Sequence, residues 1–222
     1  MARQTAPDDG AVADMPAPAA IPSPDPVRRG DDGRVRCWWA ASAPEYIEYH
    51  DFEWGRPLHG DDELFERMCL EAFQSGLSWL TILRKRPAFR QAFGGFSIST
   101  VAGYGPDDVE RLLTDASIVR NRAKIEAAVH NARVAADLTV GLDELLWSFA
   151  PATPPARPAA VADFRAITAE STAMARDLKR RGFTFVGPTT AYALMQATGM
   201  VDDHVAGCWR SGQAGQAACE AH

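Results

Sequence analysis

RRGFTFVGPTTAYALMQATGMVDDHVAGC, residues 180–208, carries a turn, a helix and a set of ligand-type side chains in one continuous stretch. GPTTAYALMQATG reads as a helix that Gly199 ends. The tight Phe185-Val186-Gly187 turn before it leaves backbone N–H groups unpaired at the helix start, an arrangement suited to phosphate. Lys179, Arg180 and Arg181 precede it, and Arg84, Lys85 and Arg86 lie elsewhere, so local positive charge is available. An ordinary αα-turn beside a solvated basic face has the same pattern. After the helix, His204 and Cys208 stand four residues apart. On a helical turn such residues share a face and reach one metal ion together.

A structural metal of the zinc type takes four N/S ligands, so two more must come from elsewhere. CWWAASAPEYIEYH supplies Cys37 and His50, near the start of the folded region. One Cys/His pair from each end would staple the domain's termini together. Finger spacing would place all four within about 30 residues, whereas these pairs lie far apart in the chain. A buried free Cys with a capping His fits the same residues.

Between the two pairs the apolar periods are helical, and no alternating strand is evident. PEYIEYH (44–50) suits a short first helix begun by Pro44. Asp61 and Asp62 open a longer one through LFERMCLEAFQSG, with Leu64, Phe65, Met68 and Phe73 as core candidates. Ser78 caps WLTILRKRPAFRQAF, which Pro87 must kink or restart. GPDDVERLL, NRAKIEAAVHNARVAADL and DELLWSF follow. Beyond the Pro-rich APATPPARP, a helix is expected over roughly 163–181. The fold class is all-α.

The chain has 222 residues, 46% of them hydrophobic, enough for one ordinary core. Residues 1–34 are rich in Ala, Pro, Asp, Arg and Gly and read as a disordered tail. The helical domain spans 35–210, and 211–222 form a loose end. A net charge of −6 excludes nucleic-acid binding by bulk positive charge but not a local basic face. Four irregularly spaced Cys point to a reducing cytoplasm rather than a disulfide scaffold. No apolar run approaches the roughly 20 residues of a membrane span, and no secretion signal is evident.

Trp38, Trp39, Tyr46, Tyr49 and Trp54 crowd one short stretch, with Trp79 further on. Such density usually means core, yet a pocket for a flat heterocycle also needs aromatic faces. Glu71 lies in the apolar run MCLEAFQSGLSW, where a carboxylate is expensive unless paired or solvent-facing at the helix edge.

From RCWWA to DDHVAGC the chain resembles the bacterial 3-methyladenine DNA glycosylase I family, divergent helix-hairpin-helix glycosylases. YIEYHDFEWG, LFERMCLEAFQSGLSW, ASIVRNRAKI, KRRGFTFVG and DHVAGC carry the resemblance, which covers essentially the whole folded part. It implies a helical glycosylase domain with a structural zinc joining its ends on Cys37, His50, His204 and Cys208. Cys69 and Cys219 do not match the ligand pattern, and His59, His130 and His222 match nothing functional. The base-recognition carboxylate falls on Glu71, and the aromatic pocket on Trp39, Tyr49 and Trp79. The substrate implied is alkylated double-stranded DNA, the product free 3-methyladenine, and the enzyme a cytoplasmic monomer.

Three departures bear on mechanism. Many relatives in the wider superfamily carry an Asp after the hairpin, in a Val-Asp-x-His pattern, to stabilise the sugar cation. This family commonly has Asn there, and VDDH places Asp202 at that position, either as a catalytic carboxylate or as a local hydrogen-bonding residue. The Lys that bifunctional relatives use for strand cleavage has no match; Thr189 stands in the hairpin instead, so a monofunctional enzyme is expected. Phe185 occupies the place of the hairpin's first Gly. A modified-base reader without turnover and a zinc-stapled interaction domain are the rival readings.

Overall fold

A computed structural model describes residues 25–212. In chain order the elements are β1 (Val27–Arg29), β2 (Val35–Cys37), α1 (Pro44–Phe52), α2 (Asp61–Gln74), α3 (Trp79–Ala92), α4 (Ile98–Ala102), α5 (Pro106–Thr114), α6 (Arg122–Ala136), α7 (Leu142–Trp147), α8 (Ala169–Arg180) and α9 (Pro188–Ala197). Short 3-10 turns occupy Trp38–Ser42, Gly94–Phe96 and Val161–Asp163. The helical architecture follows the periodicity, and three local features correct it.

The first correction is the hairpin. β1 and β2 pair antiparallel, Val27 opposite Cys37 and Arg29 opposite Val35, within a stretch that composition had assigned largely to the tail. What holds it is polar. Gly33 takes the positive φ of the turn, and buried Arg36 forks to Asp51 (Nε–Oδ1 2.9 Å) and to Asp32 (NH2–Oδ2 2.5 Å). Residues 1–24 and 213–222, with Cys219 and His222, lie outside the described residues.

The second is the start of α8. The expected helix over 163–181 begins only at Ala169, because Thr168 forms a reciprocal cap with Ser171: each hydroxyl accepts the other's backbone N–H, at 2.9 and 3.2 Å. The third is Pro87, which lies inside α3 without ending it. Ile82 and Leu83 before it and Phe89 and Ala92 after it are buried, so one core holds both halves despite the missing backbone donor. Ser78 caps α3 as expected, accepting from Thr81 N at 3.2 Å.

Leu64, Phe65, Met68 and Phe73 of α2 are buried at the centre of the main core, against Phe89, Phe93, Ile125 and Met195. α2 is therefore the central helix, and beyond its exposed first turn its side chains are buried or half-buried against neighbours. A second, smaller cluster gathers Cys37, Tyr49, Trp54, Val205 and Cys208. The first and last parts of the described residues meet beside it, backbone to backbone. Leu58 N donates to Thr198 O and Gly55 N to Gln196 O, both at 3.0 Å. Gly199 has φ 72°, and a Cβ there would overlap the backbone of Arg56 and Pro57.

Candidate active site and metal centre

Cys37, at the end of β2, and His50, on α1, meet His204 and Cys208 beyond α9, all four buried. Their ligand atoms lie within 4.8 Å of one another. Cys208 Sγ is 3.4 Å from His50 Nε2 and 3.7 Å from His204 Nδ1, and Cys37 Sγ is 3.8 Å from His204 Nδ1. The atoms not aimed inward are occupied. His50 Nδ1 meets Asp51 Oδ1 at 2.8 Å and His204 Nε2 meets the Trp54 carbonyl at 3.1 Å. Both partners accept, so each imidazole donates outward and turns a lone pair toward the centre. Val205 N donates to the Cys37 sulfur at 3.4 Å and Arg210 N to that of Cys208 at 3.5 Å.

The two sulfurs compete for one negative charge. Hydrogen bonding to Cys208, burial and mutual repulsion push the Cys37 thiol up, while the hydrogen bond from Cys37 holds Cys208 down. A cation at the centre would relieve that competition, so the buried set can hold a metal ion. Asp51 and the Trp54 carbonyl carried no signal in the sequence; they become visible only once the ligands are placed.

A cavity of about 690 Å³ adjoins this centre. Trp39, Tyr49, Glu71 and Trp79, the four residues expected in the pocket, all line it. Trp38, Tyr46, Trp54, Phe164 and Gln196 line it as well. Trp39 and Trp54 meet edge to face at 5.0 Å, and Tyr49 lies 5.5 Å from Trp79. Trp39 and Trp54 also pack on the ligand imidazoles, Trp39 on His50 at 5.3 Å and Trp54 on His204 at 4.7 Å. Pocket and Cys/His centre thus share a wall.

Glu71 is 6% exposed and has no hydrogen-bond donor among the described residues. Burial pushes its carboxyl up to about 7, with Arg67 opposing the rise. Arg67, one turn earlier on α2, is itself committed to Glu53 (3.1 Å), which Arg86 grips at 2.5 and 2.6 Å. The guanidinium lies 5.5 Å over the Tyr49 ring. Arg67 Nη1 is itself buried without a partner, so positive charge is near Glu71 without bonding it, and the acceptor is left for the cavity. Trp79 Nε1 is also buried without a partner. Lys124 of α6 fixes the end of α2 beside the pocket, donating to the carbonyls of Phe73 (2.9 Å) and Ser75 (2.5 Å).

Asp202 stands apart from this cavity. Its Oδ2 accepts from Arg157 Nε at 3.1 Å and Gly212 N at 3.2 Å, and its Oδ1 from His204 N at 3.2 Å. The buried acid behind the pocket is its neighbour Asp203, which takes 2.7 Å bonds from Tyr192 OH and Gln196 Nε2. Two adjacent Asp offered no sequence signal as to which faces inward.

The sequence matches the family model described as methyladenine glycosylase over residues 39–211. It is 44% identical over 177 residues to DNA-3-methyladenine glycosylase 1 of Escherichia coli, covering 78% of this chain and 95% of that protein. A crystal structure of 3-methyladenine DNA glycosylase I superposes with a TM-score of 0.75 at 42% identity, over 78% of this chain and 98% of the other. The enzyme of the same name from Staphylococcus aureus, solved to explain its 3-methyladenine recognition, gives 0.75 at 34% identity over 79% and 96%. The chain belongs to the methyladenine glycosylase family.

Proposed function

We propose that this protein is a DNA glycosylase that releases 3-methyladenine from alkylated double-stranded DNA, acting as a monomer in the cytoplasm. The observation that carries the reading is Glu71, a buried, unpaired carboxylate facing an aromatic cavity. Methylation at N3 puts positive charge on adenine and makes it a good leaving group, so discrimination matters more than chemical force. The lesion must leave the stack to be inspected. Trp39, Tyr49 and Trp79 receive the purine; a cation over desolvated aromatic faces adds about 0.5–2 kcal/mol. Glu71 accepts from the exocyclic amine, and its own burial penalises any ligand that cannot donate to it.

Water then bonds to C1′ and loses a proton to solvent. The electrons of the C1′–N bond leave with the base, which departs neutral and leaves an abasic site. No Lys occupies the hairpin position used for strand cleavage, which supports a monofunctional enzyme. Asp202, committed to Arg157 and to two backbone N–H groups, acts as a brace of the C-terminal loop. The turn between α8 and α9 contacts the DNA backbone.

Zinc is the metal that best suits the centre. Tetrahedral bonds of about 2.3 Å to sulfur and 2.0–2.1 Å to nitrogen put S···N edges at roughly 3.5 Å, close to the 3.4–3.8 Å found. With four protein ligands the ion supplies a cross-link and no chemistry. Cys37, His50, His204 and Cys208 would hold it, and through Trp39 and Trp54 it would steady the pocket wall. Incubation with methylated DNA and chromatography of the released bases tests the proposal: free 3-methyladenine is expected. Binding without release would make the protein a base reader; a dispensable Glu71 would make it a stapled interaction domain.

A further inference from the structure

The turn joining α8 to α9 is held from outside, by α6. Asn131, 53 residues earlier in the chain, is 3% exposed, and its carboxamide satisfies both main-chain groups of Thr184. Nδ2 donates to Thr184 O at 3.0 Å, while Oδ1 accepts from Thr184 N at 2.9 Å and from Thr184 Oγ1 at 3.3 Å. One donor and one acceptor offered to a single residue do the work of a neighbouring β-strand. The adjacent His130 adds a 2.8 Å bond from Nε2 to Gly182 O. The carbonyl can only accept, so the imidazole donates.

The clasp has a strained neighbour. Phe185 has φ 56°, the left-handed region that side chains other than Gly rarely adopt. It is 42% exposed, so burial of its ring does not hold it there. Such strain persists only where the surroundings over-determine the backbone. Thr184 is pinned before it; after it Val186 is buried and Pro188 fixes the first turn of α9. Among the described residues, the N–H groups of Phe185, Val186 and Gly187 meet no acceptor.

We propose that Asn131 is a positioning residue for DNA binding: it holds the turn in its strained shape before DNA arrives, with the free N–H groups displayed toward the phosphates. The inference rests on the reading of this turn as a DNA contact. Without the clasp, Phe185 relaxes and binding must first reorder the turn, which weakens affinity. Asn131 does not line the cavity, so capture of a free base and the chemistry on bound DNA do not depend on it.

The experiment measures three quantities in the metal-loaded full chain: affinity for duplex DNA bearing an uncleavable abasic analogue, affinity for free 3-methyladenine, and the single-turnover rate at saturating enzyme. Asn131→Ala is expected to weaken DNA binding about tenfold while the other two stay within twofold. Asn131→Asp keeps the acceptor but sets a charge against Thr184 O; it should fall between, and it decides the matter if the Ala variant does not fold. Phe185→Asp serves as the control on the turn itself. If that variant loses DNA affinity while both Asn131 variants keep it, the clasp is overturned alone. If none of them loses affinity, the DNA role of the turn falls and the clasp with it. Loss of free-base binding in step with DNA binding would reduce Asn131 to a general packing residue and overturn the proposal.

Discussion

The buried Cys/His centre and the pocket share a wall and are built on opposite principles. Around the centre each imidazole has its second nitrogen bonded, and both sulfurs accept a backbone N–H. In the pocket, a few ångströms away, Glu71 has no donor and Trp79 Nε1 no acceptor. A region meant to stay closed satisfies its polar groups internally. One meant to receive a guest leaves them unpaired at a cost in stability, which a guest with matching groups returns.

The largest effect should come from opening the closed region. Cys208→Ala should abolish stoichiometric metal and cost several kcal/mol, lowering Tm by roughly 10 °C. Metal analysis beside calorimetry checks this, and full stability in a metal-free protein removes the idea of a metal cross-link.

Filling the open region should act in the opposite direction on stability. Glu71→Gln keeps shape but replaces an acceptor with a partial donor, so single-turnover base release should fall about 10²-fold or more. Its fold should gain. The folded carboxyl titrates at about 7 against 4.5 when free. A raised acid pKa means that the folded state resists ionisation, so the penalty is absent below pH 4.5, grows with rising pH and is complete above 7. At about 1.4 kcal/mol per pH unit this is on the order of 3 kcal/mol. The variant should therefore melt several degrees higher than wild type at pH 8 and at the same temperature near pH 4. Equal Tm values at pH 8 would show that Glu71 is not strained by burial.

The smallest effect is expected at Asp202, which stands apart from the pocket and touches the centre only through the backbone N–H of His204. Asp202→Asn is nearly isosteric and keeps an acceptor for His204 N, so the single-turnover rate should stay within about tenfold, or roughly 1.4 kcal/mol of barrier. A hundredfold loss with Tm and metal content unchanged would place a catalytic anion there.

The same contrast explains what could be read from the sequence. Helices with an apolar face, such as Leu64, Phe65, Met68 and Phe73 of α2, announce themselves through their period. Two Cys/His pairs offered a ligand set by residue type, and the resemblance selected it; the helical turn assumed for His204 and Cys208 is instead a loop beyond α9, so their meeting is made by tertiary structure. Features made by distant polar pairs leave no local trace. The β1–β2 hairpin looked like tail because its few apolar residues cannot hold it, and the Arg36 fork to Asp51 lies in no pattern of neighbours. Phe164 joined the pocket from a segment whose composition suggested helix. Asn131 was one polar residue on an amphipathic helix until Thr184, 53 residues on, was laid against it.

Gly199 has a consequence for how the molecule comes into being. Its missing side chain lets the end of α9 lie directly on the backbone of Arg56 and Pro57, and His204 reaches back 167 residues to Cys37. Closing so long a loop comes late, because its entropy is lost before any of its contacts form. On the ribosome the aromatic stretch emerges well before residues 196–208, which close its wall. Through that interval the nascent chain has tryptophans but no closed pocket.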